Sequence, residues 1–174
     1  LASPVTNATG ATTGLGSGLN YFGSGSLSLT AVNTFGGSLT LGGGTTTLSG
    51  TGVLAAGNVA TANATAAGTS VASVTVPTDG VSTGFYISGA GITGAGLGTG
   101  TFVSGISSAT VLAIPQMVTT TTTSYTLLGV VNAFGGSTLT LDNSGTNTAN
   151  RLANRQIFLS GASLNLIGNA SAAT

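Results

Sequence analysis

The chain's alternating segments are short and closely spaced, and this limits its fold more than any other feature. Ser26-Leu27-Ser28-Leu29 and Ser38-Leu39-Thr40-Leu41 alternate polar and apolar residues, and Thr45-Thr46-Thr47-Leu48-Ser49 and Val53-Leu54-Ala55 follow across Gly42-Gly43-Gly44 and Gly50-Thr51-Gly52. A period of two is that of a half-buried β-strand, and the glycine clusters between the runs are turn signals. A crossover helix needs about ten or more residues, and none of these connections is that long. The segments therefore predict either hairpins or the rungs of a β-solenoid, in which one turn takes roughly 20–29 residues.

One phrase occurs twice. Ala31-Val32-Asn33-Thr34-Phe35-Gly36-Gly37-Ser38 returns as Val130-Val131-Asn132-Ala133-Phe134-Gly135-Gly136-Ser137, and the copies run on into Leu39-Thr40-Leu41 and Leu139-Thr140-Leu141. Repetition of whole phrases marks stacked architecture. The copies are too far apart to be adjacent rungs, so they predict the two sides of an interruption. Between them the texture changes. Ser70 to Val76, Phe85 to Gly89, Thr101 to Ile106, Thr110 to Ile114 and Thr119 to Leu128 read as strands, Pro77 and Pro115 close two of them, and the Gly91–Gly100 stretch reads as a loop. The expected organisation is an extended lead-in over 1–25, β-solenoid over 26–66 and 130–174, and an inserted β-sandwich-like module over 67–129. The stretch from Ala149 to Gln156 is the one candidate for a helix, of a turn or two.

Composition excludes several functions. Only 2% of the 174 residues are charged, namely Asp79, Asp142, Arg151 and Arg155, and there is no Lys, Glu, His, Cys or Trp. Two arginines cannot neutralise a nucleic-acid backbone. No run approaches the roughly 20 apolar residues of a spanning helix. Without Cys there is no disulfide scaffold or thiolate site, and without His or Lys no base to activate a nucleophile. Paired-carboxylate hydrolysis would need Asp79 and Asp142 across one bond; they fall in different modules, where each reads as a turn former. Asp142, Asn143 and Asn147 offer too little charge for calcium. Gly94-Ala95-Gly96-Leu97-Gly98 lacks the following helix that a phosphate loop requires. Arg151 and Arg155, four apart, could share a helical face and clamp an anion; pairing with an Asp or a C-terminal carboxylate, or exposure to solvent, is the simpler expectation. Neither catalytic, cofactor nor metal residues are expected, and no enzymatic activity. The Thr119–Thr123 run suits a solvent-facing ladder or a pairing edge. Asn7, Asn63 and Asn169 fit the N-glycosylation pattern.

The phrase Asn-x-Phe-Gly-Gly-x-Leu-Thr-Leu, with glycine-rich turns and Thr-Leu-Ser-Gly after it, resembles the autotransporter-associated β-strand repeat of bacterial passenger regions and large surface proteins. The resemblance covers residues 31–54 and 131–141, with echoes over 157–169. The repeat usually has Thr-Gly-Gly after its aromatic, whereas here Gly36 and Gly135 follow the Phe directly. The middle segment, with Tyr86-Ile87-Ser88-Gly89 and Gly98-Thr99-Gly100-Thr101-Phe102, resembles a β-rich module of giant repetitive surface proteins. The resemblance implies a right-handed parallel β-helix, an extracellular or cell-surface location, and a structural or adhesive role.

The leading expectation is an all-β extracellular subunit that stacks on copies of itself into a filament, sheath or surface layer, with Leu27, Leu29, Leu164 and Leu166 at the contacts and glycans as a further partner. The other is an adhesin passenger that binds a ligand through Phe85, Tyr86 and Phe102 of the insertion.

Overall fold

The computed structural model describes residues 18–54, 58–64, 72–75, 83–88, 100–108, 111–115 and 122–170. The chain begins with β1 (Leu19–Tyr21), β2 (Ser26–Leu29) and β3 (Val32–Asn33), then passes through β4 (Leu39–Leu41), β5 (Thr45–Leu48) and β6 (Val53–Leu54). Each strand of the second set lies parallel to its counterpart in the first, with Leu19 opposite Leu39, Ser26 opposite Thr45 and Val32 opposite Val53. The step between partners is close to twenty residues. The lead-in expected to be merely extended thus joins a sheet from Leu19 onwards.

The chain then leaves these sheets. β7 (Asn58–Ala64), β8 (Ala72–Thr75), β9 (Tyr86–Ser88), β10 (Gly100–Phe102), β11 (Gly105–Ser108), β12 (Val111–Ile114) and β13 (Thr122–Leu128) form one antiparallel sheet in the order β10-β9-β13-β7-β8-β12-β11. The two end strands are neighbours in sequence. Only Val103 and Ser104 separate Phe102 from Gly105, a reach of about 11 Å, whereas seven flat strands would span about 29 Å. The sheet must therefore curl until its ends meet. The segment expected as one strand from Thr101 to Ile106 bends at Val103–Ser104, where Val103 N donates to Phe85 O and Ser104 N to Ala113 O (2.8 and 2.9 Å). Such bends carry a strand from one layer to the next. Ile87, Leu112, Ile114 and Leu127 are buried inside. The antiparallel sheet also begins earlier than the expected boundary at 67, because Asn58–Ala64 pairs with β13.

After Leu128 the chain returns to the parallel sheets as β14 (Val131–Phe134) and β15 (Thr138–Asp142), then β16 (Ile157–Ser160) and β17 (Ser163–Ile167). Two four-stranded parallel sheets result, β1-β4-β14-β16 and β2-β5-β15-β17, beside the two-stranded β3-β6. Alternation places the apolar residues of these strands in register. Leu19, Leu39, Val131 and Ile157 form one column; Tyr21, Leu41, Ala133 and Leu159 a second; Leu27, Thr46, Leu139 and Leu164 a third; Leu29, Leu48, Leu141 and Leu166 a fourth. Leu29, Leu39, Leu41, Leu48, Val131, Ala133 and Leu139 of these columns, with Phe35, Leu54 and Leu152, make the buried core of the parallel region.

Among the described residues no strand follows β15 on the third side, that of the β3-β6 pair. The helix expected from Ala149 to Gln156 is instead a series of turns in which Asn150, Ala153 and Asn154 have positive φ (53°, 51° and 62°). That conformation is costly for a residue with a Cβ and ends any helix. Residues 91–99 of the expected loop, Asp79 and Thr119–Thr121 lie outside the described residues.

Candidate functional site

Arg151 and Arg155 determine how the third side closes. Both are buried, at 3% and 4% exposure. Neither occupies solvent, contrary to expectation, and among the described residues their hydrogen bonds go to neutral oxygens. The Arg151 Nη1 donates to Gly52 O (2.6 Å), its Nη2 to Gly50 O, Asp142 O and Thr146 O (3.0, 2.8 and 3.0 Å), and its Nε to Asn143 Oδ1 (2.6 Å). Its backbone carbonyl accepts from Leu54 N (2.8 Å). The carbonyls after β5 lack a stacked strand above them, and buried carbonyls need donors. A guanidinium presents five donors in a fixed fork and takes over that task. Arg155 does the same for the first phrase: Nη2 donates to Phe35 O (2.7 Å), and Nη1 to Gly37 O and to Gly129 O (3.2 Å). Its guanidinium carbon lies 5.4 Å from the Phe35 ring centroid, within cation–π range. Burial pushes the Arg155 pKa down to about 10, so it stays charged at neutral pH. Burial lowers that of Arg151 also, against the opposing pull of Asp142.

Asp142 behaves as a turn former. Its Oδ1 accepts from Ser144 N at 2.8 Å, and the Ser144 hydrogen bonds hold its carboxyl below the usual carboxylate value. Asn143 Oδ1 is engaged by Arg151. Among the described residues no group of three metal-ligating side chains occurs, and no helix is long and apolar enough to cross a membrane.

Two surfaces remain. The first is the end of the parallel sheets formed by β16 and β17. Leu29 and Leu48 are fully buried, yet Leu166, in the same column, is 68% exposed; Leu159, Leu164 and Ile167 are exposed beside it. Leu27 and Leu29 stand at the opposite end, on β2. The four leucines singled out from the sequence thus belong to two shared columns but to opposite ends of them.

The second is a cleft of about 710 Å³ between the outer face of the first parallel sheet and the inserted module. Its floor carries Asn20, Thr40, Asn132 and Phe158, which the strand register sets in one row. Phe102 forms the wall, its ring centroid 5.1 Å from that of Phe158 and 5.6 Å from that of Tyr86. Of the three aromatics expected to recognise a ligand, Phe85 is buried, whereas Tyr86 and Phe102 are half-buried. The sequence reading missed Asn132 and Phe158. Each is the outward residue of an alternating strand, but their alignment depends on a pairing that spans the insertion. Asn7 lies outside the described residues, Asn63 pairs through its backbone with Thr75 in β8, and Asn169 is half-buried.

Comparison of the chain with protein-family models, curated proteins and solved structures finds no match.

Proposed function

We propose that the parallel region is a right-handed parallel β-helix interrupted by a sandwich-like module, and that the protein is an extracellular structural subunit that polymerises end to end. The role is structural rather than enzymatic. The end at β16 and β17 carries this reading: four columns run through the parallel sheets and finish on apolar side chains, with no strand above them among the described residues. A parallel strand edge is a template for another strand, and the next copy's β1 and β2 carry Leu19, Tyr21 and Leu27 in the same columns; Leu29, expected at the contact, is fully buried within its own copy. Joining unlike ends is a heterologous contact, which yields a filament when the rotation does not close. The near absence of charge favours association, and the resemblance to surface-protein repeats agrees with it. The second reading, an adhesin passenger, is favoured by the aromatic cleft.

Sedimentation velocity and negative-stain microscopy test the proposal. The protein should form fibres whose length grows with concentration, and Leu164→Lys/Leu166→Lys should leave a folded monomer. A wild-type protein that remains monomeric at high concentration contradicts it.

A further inference from the structure

We propose that the cleft between the first parallel sheet and the inserted module is a binding site for an uncharged polysaccharide. This does not depend on polymerisation. Among the described residues the lining contains Gly, Ser, Thr, Asn, Val, Leu and Phe but no ionisable side chain, so it offers neither a counter-charge for an anion nor one for a cation. Both arginines of the chain are already committed to backbone carbonyls elsewhere. The ligand that fits is therefore neutral.

The floor narrows the choice further. Asn20, Thr40 and Asn132 stand side by side on β1, β4 and β14, one strand spacing of about 4.8 Å apart. Amide and hydroxyl side chains both donate and accept, so each can meet a hydroxyl in either sense. A purely apolar ligand would strip these groups of water without replacing their hydrogen bonds, which costs free energy at each one. A peptide strand finds no edge along the middle of this floor, because the backbone groups of β4 and β14 are engaged on both sides. A sugar chain needs no such edge: its hydroxyls address the side-chain row, and its rings repeat at close to the strand spacing.

The aromatic groups supply the other half of the chemistry. One face of a pyranose ring presents C–H bonds, which suit the electron-rich face of an aromatic ring. Phe158 ends the polar row, and Phe102 rises beside it from the module. From Asn20 to Phe158 the row crosses four strands, about 14 Å, which suits a short oligosaccharide better than a single ring. Pockets of this kind combine an apolar lining with a few convergent polar groups.

Calorimetric titration tests the inference, with cellohexaose, laminarihexaose, maltohexaose and chitohexaose as neutral probes and polygalacturonate as an anionic one. It is run on the Leu164→Lys/Leu166→Lys variant, so that failure to polymerise and failure to bind sugar are read separately. At least one neutral hexasaccharide should bind saturably and polygalacturonate should not. Asn132→Ala should weaken binding about five- to tenfold, the loss of one net hydrogen bond. Phe102→Ala should weaken it about tenfold or more, and Phe102→Tyr should restore it, which separates ring stacking from a folding defect. The inference is overturned if none of the neutral probes binds, if polygalacturonate binds as well as they do, or if natively folded Asn132→Ala and Phe102→Ala bind like the parent. It is also overturned if Phe102→Ala breaks up the wild-type polymer and leaves sugar binding intact, since a second copy would then fill the cleft.

Discussion

The two copies of the Asn-x-Phe-Gly-Gly-Ser phrase are nearly the same in sequence and differ in almost every structural respect. In the first, Val32–Asn33 is a strand of the third side, and Phe35 is fully buried at the corner leading to β4. In the second, the equivalent Val131–Asn132 belongs to the first sheet, Phe134 is 41% exposed, and the corner leads to β15. The turns differ too. Gly135 and Gly136 take positive φ (55° and 78°), whereas the carbonyls of Phe35 and Gly37 accept from Arg155. The second copy thus enters a different sheet from the first, and Leu39 pairs with Val131 rather than with a residue in the equivalent place. A short phrase specifies a strand, an aromatic corner and a strand; which corner it builds depends on what packs over it.

The sharpest way to break this contrast is through the two phenylalanines. Phe35→Ala should cost about 3–5 kcal/mol, as for a large side chain removed from a core, and Phe134→Ala about 0.5 kcal/mol or less; urea unfolding of the two variants measures both. Equal losses would mean that the corners are equivalent after all.

Arg155→Leu should cost about 3 kcal/mol, because charge-assisted bonds are lost and buried carbonyls are left without donors. For a chain of this size that is a fall of roughly 6–12 °C in Tm by calorimetry. The same variant offers a local readout. Arg151 becomes the sole tryptic site, and its cleavage rate reports opening of the third side; it should rise even where the protein remains folded.

The glycines sharpen the comparison further. A Cβ at Gly129 would overlap the Gly37 carbonyl carbon, while one at Gly136 would meet nothing within 4 Å and suffer only from its positive φ. Gly129→Ala should therefore cost about 2–3 kcal/mol through forced backbone movement, and Gly136→Ala about 1 kcal/mol. Chemical denaturation distinguishes them.

The smallest effect is electrostatic. Asp142 has its pKa lowered in the folded chain by Ser144, so the unfolded state binds the proton more readily. Its stabilisation is present above 3.8, the unfolded value, and is lost as pH falls through the lower folded value. Asp142→Asn should flatten that part of the acid slope, and what it removes should show as a small loss of stability at pH 7 that vanishes as pH falls through the folded value.

Much of the strand content was legible. Leu39-Thr40-Leu41 and Leu139-Thr140-Leu141 alternate as strands that bury one face, and glycine clusters mark their ends. Register across the insertion was not legible, since alternation fixes which face a residue occupies but not its partner 92 positions away. The arginine stretch misled for a related reason: charges four apart suit an exposed helical face, and nothing local in Ala149 to Gln156 reveals the orphaned carbonyls of Gly50, Gly52 and Phe35 that draw those side chains inward. The cleft was half legible, because Tyr86 and Phe102 were visible as aromatics of the insertion, whereas Asn132 and Phe158 join them only through the parallel pairing.

The central claim is that β17 of one copy stacks on β2 of the next. Ser28, Thr47, Thr140 and Asn165 form one row across the second sheet, so Asn165 of one copy should lie beside Ser28 of its neighbour, about 4.8 Å away, within the Cα separation that a disulfide bridges. The chain has no cysteine of its own. Under mild oxidation, Ser28→Cys/Asn165→Cys should give a ladder of covalent multimers on a denaturing gel, while each single variant stays a monomer. Dimers from Asn165→Cys alone would mean tail-to-tail pairing, and no ladder from the double variant would mean that these ends do not meet; either result contradicts the account.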